Sequence, residues 1–312
     1  MFKDKIYEML TSETKSIIQE FKEEPLRKIV YTSFNGDDMH HILAICNQVL
    51  MEQMIPLNPE MALGYYISTQ TLGGNKINVM TDCLTLTLFS DKLWIYGKND
   101  ILLSEGIMAE AFLWSQIKNK KATFVPDIYS NEKIVMSYLE VKDWLLRMTD
   151  ESFRNDLFYN LLTPYKNSQH KTVYIGANFV NYKHIDWARV QAYKEKLCPI
   201  SPQNILSYFL YHNLKDNETR YLKDRLTLLS KSDIYWLCID ATNLEEELNR
   251  LDQNTLAELY MLNTVYINTP VKIMDWGEIK VPKYDKTTMW ALTQKEQGEI
   301  LGKSWPLEFR KR

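Results

Sequence analysis

The same succession of segments occurs twice in this chain, and a duplication of that kind decides the architecture before any single motif does. In the first half a β-type run opens at Lys28-Ile-Val-Tyr-Thr-Ser, a helix-like stretch follows from about His40 to Gln53, and Ile55-Pro-Leu-Asn-Pro59 reads as a short strand closed by proline. Lys171-Thr-Val-Tyr-Ile-Gly, a stretch from about Asp186 to Lys196, and Cys198-Pro-Ile-Ser-Pro202 take the same places in the second half, with Pro56 and Pro199 143 positions apart. Each half goes on to an aromatic pair, Tyr65-Tyr66 or Tyr208-Phe209. A helix opening at Asp82 or Asp224 then runs into a buried-looking strand, Leu93-Trp-Ile-Tyr96 or Ile234-Tyr-Trp-Leu-Cys-Ile239. Each closes with a longer helix, carrying Glu110 or Glu258, and a last strand at Ala122-Thr-Phe-Val125 or Val271-Lys-Ile-Met274.

Strands alternating with helices of this length form βαβ units, whose sheets are mostly parallel with right-handed crossovers. The expected fold class is therefore α/β, as two tandem doubly wound domains of Rossmann or flavodoxin-like type. The boundaries read as an N-terminal helix over 1–27, a first repeat over 28–126, a helical connector over 127–170, a second repeat over 171–275 and a tail over 276–312. The connector carries no strand pattern, and the tail is expected to pack across the two halves.

A length of 312 residues exceeds one ordinary core, and 45% apolar with 25% charged residues is the composition of a folded globular protein. A net charge of −3 with interspersed signs gives no basic stripe for a phosphate backbone, which argues against polymeric nucleic acid as a partner. Cys46, Cys83, Cys198 and Cys238 show neither zinc-type nor disulfide-framework spacing, so a reducing cytoplasm is expected. No run of about 18 apolar residues is present and the opening segment is charged, so neither membrane insertion nor export is expected.

Ligands in open α/β sheets sit beyond the carboxyl ends of the strands. Those ends carry Thr32, Ser33, Phe34 and Asn35 in one half and Gly176, Ala177, Asn178 and Phe179 in the other, a mixture that suits a flat heterocycle or a sugar. Tyr31 and Tyr174 occupy matched positions beside them. Asp82 and Asp224 read as residues at helix starts, where an N-cap competes with a catalytic role. Glu110 and Glu258 sit inside apolar helices, so each carboxylate must reach a solvated edge or a site. The histidines lack HExxH or HxH spacing, so no metal is expected, and Gly73-Gly74 lacks the spacing of a phosphate loop.

These motifs together resemble the nucleoside 2-deoxyribosyltransferase-like family, which includes nucleoside 5′-monophosphate N-glycosidases. The matches are Lys171-Thr-Val-Tyr-Ile-Gly-Ala-Asn-Phe179, Asp224 to Asp233, Asp252-Gln-Asn-Thr-Leu-Ala-Glu258 and Asn268-Thr-Pro-Val271, with Ile29-Val-Tyr-Thr-Ser-Phe34, Asp82 to Asp91, Ser104-Glu-Gly-Ile-Met-Ala-Glu110 and Asn119-Lys-Lys-Ala122 in the first half. The resemblance covers both repeats, about two thirds of the chain. It implies Glu110 and Glu258 as nucleophiles at an anomeric carbon, and Asp82, Asp224 and Asp252 as acids or base-contacting groups. Tyr31, Ser33, Phe34, Ser104, Tyr174, Gly176, Asn178 and Phe179 would then line the substrate site. It further implies a nucleoside or nucleotide substrate, no cofactor, and an internal pseudo-dimer that can belong to a larger homo-oligomer. Ser104 stands where the family motif has aspartate and Asn254 where it has glycine. Two other readings stay open at this point: a nucleotide-binding protein that has lost turnover, and an enzyme that cleaves NAD.

Overall fold

The computed structural model describes residues 2–34, 39–63, 76–97, 104–116, 120–130, 132–157, 159, 162–163, 165, 169–178, 182–207, 217–239 and 244–275. They fall into two units, one made from the described residues between 28 and 170, the other from those between 171 and 275 together with those between 2 and 27.

In the first unit, β1 (Ile29–Ser33) is buried at every position, the pattern of a parallel strand covered on both faces. It pairs with β2 (Ile55–Leu57) on one side and β3 (Lys92–Tyr96) on the other, and β3 pairs with β4 (Ala122–Val125), all parallel. The connections are the helices Met39–Met51, Lys76–Phe89 and Glu105–Ser115. A fifth strand, β5 (Ile134–Met136), runs antiparallel on the β4 edge, giving the order β2-β1-β3-β4-β5. The connector therefore holds a strand that its sequence pattern did not announce. Three residues at a sheet edge, two of them exposed, leave no alternation to read.

The second unit repeats the order. Its strands β6 (Lys171–Gly176), β7 (Leu197–Ile200), β8 (Ile234–Ile239) and β9 (Val271–Asp275) are all parallel and lie β7-β6-β8-β9. The helices Tyr182–Lys194, Glu218–Lys231 and Gln253–Leu262 take the places of the three in the first unit. In both sheets the chain steps to one side of the first strand and then reverses, which creates a switch point between β1 and β3, and between β6 and β8. Trp94 and Trp236 anchor matching cores, with Val30, Ile45, Val49 and Val125 around one and Val173, Ile175, Ala188 and Met274 around the other.

An aspartate clamps the entry of each central strand. Asp91 Oδ2 accepts the Ile29 amide at 2.8 Å, while Asp233 Oδ2 accepts both the Thr172 amide and its hydroxyl, each at 2.8 Å. The first 27 residues form two helices rather than one, Phe2–Met9 and Ser12–Glu23. Ile17, Ile18 and Phe21 bury the inner face of the second, and Lys223 reaches Glu20 at 2.9 Å and Glu24 at 3.0 Å.

Asp82 and Asp224 do not open their helices, which correct the boundaries expected from sequence. Lys76–Phe89 and Glu218–Lys231 are each 14 residues long, and the aspartate is the seventh residue of each. The preference of aspartate for an N-cap suggested a start there, but the helical pattern extends back through Val79 and Met80, and through Tyr221 and Leu222. The expected tail over 276–312 lies outside the described residues.

Candidate functional site

The two glutamates stand at one address. Ser104 caps the helix Glu105–Ser115, its Oγ accepting the Ile107 amide at 3.4 Å, and Asp252 caps Gln253–Leu262, its Oδ1 accepting the Thr255 amide at 2.8 Å. Glu110 and Glu258 each lie six residues beyond the cap, on the face turned toward the central strand. Neither reaches a solvated edge, since Glu110 is 4% exposed and Glu258 0%.

Hydroxyl groups hold Glu110. Tyr31 donates to Oε1 at 2.7 Å and Ser33 donates to Oε2, while burial and then the Glu110 carboxylate push the Cys83 thiol well up against a hydrogen bond from Tyr31. Burial drives the Glu110 carboxyl up to about 7, a rise that the Ser33 and Tyr31 hydroxyls partly oppose. Both donors come from adjacent same-face positions of β1, residues 31 and 33, as the two-residue period of a strand requires.

Around Glu258 one partner is kept and three others are exchanged. Tyr174 takes the place of Tyr31 and donates to Oε1 at 2.5 Å. Gly176 replaces Ser33, and Tyr235 replaces Leu93, with its hydroxyl donating to Oε2 at 3.0 Å. The two exchanges are linked: a Cβ on residue 176 would stand 1.9 Å from the Tyr235 hydroxyl oxygen, so the ring can pass only because residue 176 is glycine. Tyr235 then stacks on Tyr174 with centroids 5.5 Å apart and planes at 15°. Finally, Arg225 replaces Cys83 and donates from Nε to Oε1 at 2.6 Å, with Nη2 also 2.6 Å from that oxygen. Burial pushes the Glu258 carboxyl up and Arg225 pulls it down, whereas Arg225 itself is held well above its ordinary value by Glu258. A guanidinium does not release its proton in a protein, so a neutral Glu258 would strand a buried cation, and the pair is ionised.

The aspartates face other partners. Asp82, fully buried, meets His170 Nδ1 at 2.7 Å, and Asp224, also fully buried, meets Arg27 Nη1 at 3.1 Å with Arg220 Nε at 3.8 Å. Burial raises the Asp224 carboxyl to about 7 against the pull of Arg27 and Arg220. Among the described residues neither carboxyl is hydrogen-bonded to Glu110 or Glu258, which are carried by different helices. Asp252 uses Oδ1 for its cap, and its amide donates to Asn178 Oδ1 at 2.8 Å, while Asn178 Nδ2 donates to the Arg250 carbonyl at 3.0 Å. Asn178 thereby pins the end of β6 to the start of the glutamate helix. Phe34 is half-buried, with its ring edge-on to His41 at 6.0 Å. Phe179, Asn35 and Gly73-Gly74 lie outside the described residues.

No protein-family model, curated protein or solved structure matches the chain. The chemistry must therefore be argued from the carboxyl groups themselves. A carboxylate offers about four lone-pair positions. Glu110 receives two donors, one on each oxygen, whereas Glu258 receives three together with the second nitrogen of Arg225. Among the described residues, no group of three or more histidine, cysteine, aspartate or glutamate side chains is placed to hold a metal ion, and no helix is long and apolar enough to cross a membrane. Sequence reasoning passed over Arg225, Tyr235, Cys83, Arg27 and His170. Only Arg225 left a trace, as the last of three consecutive charged residues, Lys223-Asp224-Arg225, flanked by leucines in a helical run.

Proposed function

We propose that this protein acts at the N-glycosidic bond of a nucleoside or nucleotide, transferring or hydrolysing it through a helix-borne glutamate nucleophile. The observation that carries the reading is a buried carboxyl, repeated at the same helix position in both halves, with a tyrosine hydroxyl from the central strand fixed on one oxygen. Cleavage at an anomeric carbon passes through an oxocarbenium-like state, so a carboxylate held at a defined angle can form the glycosyl-enzyme bond while a second carboxyl protonates the departing base. Burial supports the first role by removing the water that would compete for the sugar. For the second role the candidates are Asp82 and Asp224, each buried beside basic side chains, and Asp252 at the start of the glutamate helix. No metal or organic cofactor is needed for this sequence of steps.

A second reading, binding without turnover, is favoured by the crowding of Glu258. Beside it, Tyr221 lines a cavity of about 380 Å³ with Thr11, Thr14, Glu218, Gln253 and Asn254, and its hydroxyl accepts from Arg225 Nη1 at 3.4 Å. Pairing of the halves as an internal pseudo-dimer and residence in the cytoplasm belong to the same proposal, supported respectively by the repeated strand order and by four free cysteines.

Purified protein is incubated with deoxynucleosides, deoxynucleoside monophosphates and NAD, and released base is measured by chromatography. Base release that disappears in Glu110→Gln or Glu258→Gln is the expected result. Tight binding of a nucleotide with no release by any substrate would replace the enzymatic reading with the second.

A further inference from the structure

We infer that the duplicated carboxyl sites have split in charge and in duty, Glu110 being the exchangeable carboxyl that reacts and Glu258 a permanent buried anion that builds its half of the protein. The assignment of reaction to the first half rests on the N-glycosidic reading above; the charge split stands apart from it.

The exchanges between the two sites form a single set. Taking Ser33 to Gly176 removes a hydroxyl donor and opens a space, and taking Leu93 to Tyr235 fills that space with a longer donor reaching the same oxygen. The hydrogen-bond count on Oε2 is thereby conserved. Taking Cys83 to Arg225 conserves nothing: a thiol becomes a fully buried guanidinium 2.6 Å from Oε1, and among the described residues Glu258 is the carboxylate it pairs with. A carboxylate so paired in a low-dielectric interior is not available as a nucleophile, because bond formation at Oε would neutralise it and strand Arg225. Among the described residues, the donors to Glu110 are neutral, Tyr31 and Ser33, beside the Cys83 thiol. It can take up a proton without stranding a partner's charge, and when it gives the proton up its negative charge rests on the two hydroxyl donors. The groups facing it from the packed elements are thus two hydroxyls and a thiol, and those facing Glu258 are Tyr174, Tyr235 and Arg225, with Tyr221 and Asp252 acting at longer range.

Infrared difference spectra at pH 6, with no substrate present, test this directly. In spectra of wild type minus variant, Glu110→Gln is expected to remove one carbonyl band of a protonated carboxylic acid, those of the buried Asp224 and Asp186 remaining, and Glu258→Gln to remove a carboxylate band and no acid band. Because Glu258→Gln leaves Arg225 buried without its anion, its unfolding midpoint should fall by roughly 10 °C. The double variant Arg225→Met with Glu258→Leu removes both charges together and is the fallback for the infrared comparison, again with the acid bands retained. Loss of an acid band on removing Glu258, or the loss of none on removing Glu110, overturns the charge split. If the spectra come out as expected while no substrate in the panel loses its base, the split stands and the glycosidic reading alone falls.

Discussion

Glu110→Gln changes one titrating group and almost no volume, which makes it the sharpest probe of the buried carboxyl. The amide oxygen can accept from Tyr31 as the carboxyl does, and the amide nitrogen can donate to Ser33, whose hydroxyl is free to turn. What disappears is the linkage. Glu110 binds its proton up to about 7 in the folded protein but only up to about 4.5 in the unfolded chain. Between those values the folded state carries more protons, so the wild type loses stability as pH rises. Each pKa unit of that interval is worth 1.36 kcal/mol, so the loss from pH 4.5 to pH 8 is about 3 kcal/mol. Asp224, raised to about 7, and Asp186, raised to about 6 by burial, add losses of the same sign, so the wild-type profile alone cannot isolate Glu110. The difference between wild type and variant can. Two units need not unfold together, so hydrogen exchange on peptides from β1 and β3 is the proper assay, read for both proteins at the same pH. The protection of the variant relative to wild type should rise by roughly a hundredfold between pH 4.5 and pH 8. A ratio that does not move with pH would mean that Glu110 is ionised throughout, and the argument from its neutral surroundings would fail.

Gly176→Ala should cost about 1–3 kcal/mol because the Tyr235 ring has to move, whereas Gly176→Ser combined with Tyr235→Leu, the first-half pairing, should recover much of the loss; a double-mutant cycle on thermal melts reads the coupling. Asp233→Ala strips two hydrogen bonds from the start of β6 and Asp91→Ala strips one from the start of β1, so the former should destabilise more, by about 1–3 kcal/mol, as measured in urea. Asp252→Ala removes a helix cap and should cost about 1 kcal/mol of stability, with Ser104→Ala costing less because its bond is longer, both read as shifts in unfolding midpoint.

Apart from β5, the strands were legible as short, mostly apolar runs, most of them bounded by proline, glycine or aspartate, and the duplication let each half check the other. Helix starts were not, since a buried aspartate in mid-helix and an aspartate at an N-cap look alike until the partner is known. For Asp82 that partner is His170 and for Asp224 it is Arg27, respectively 88 and 197 positions away. The glutamates were singled out by their apolar surroundings together with their matching places in the two halves, and their tyrosine partners by matched strand positions. What set the two sites apart, the clearance at Gly176 that admits Tyr235 and the guanidinium of Arg225 on Glu258, is a relation between residues distant in the chain, and a pattern of local spacing carries no record of it.

The account stands most directly on where a sugar becomes attached. The protein is mixed with a nucleotide substrate, quenched in acid within the first turnover, and analysed by intact mass followed by peptide mapping. An added mass of one sugar, confined to the peptide spanning residues 105–115 and absent in Glu110→Gln, is the predicted result. Base release without any adduct, or an adduct on the peptide spanning residues 253–262, would contradict it.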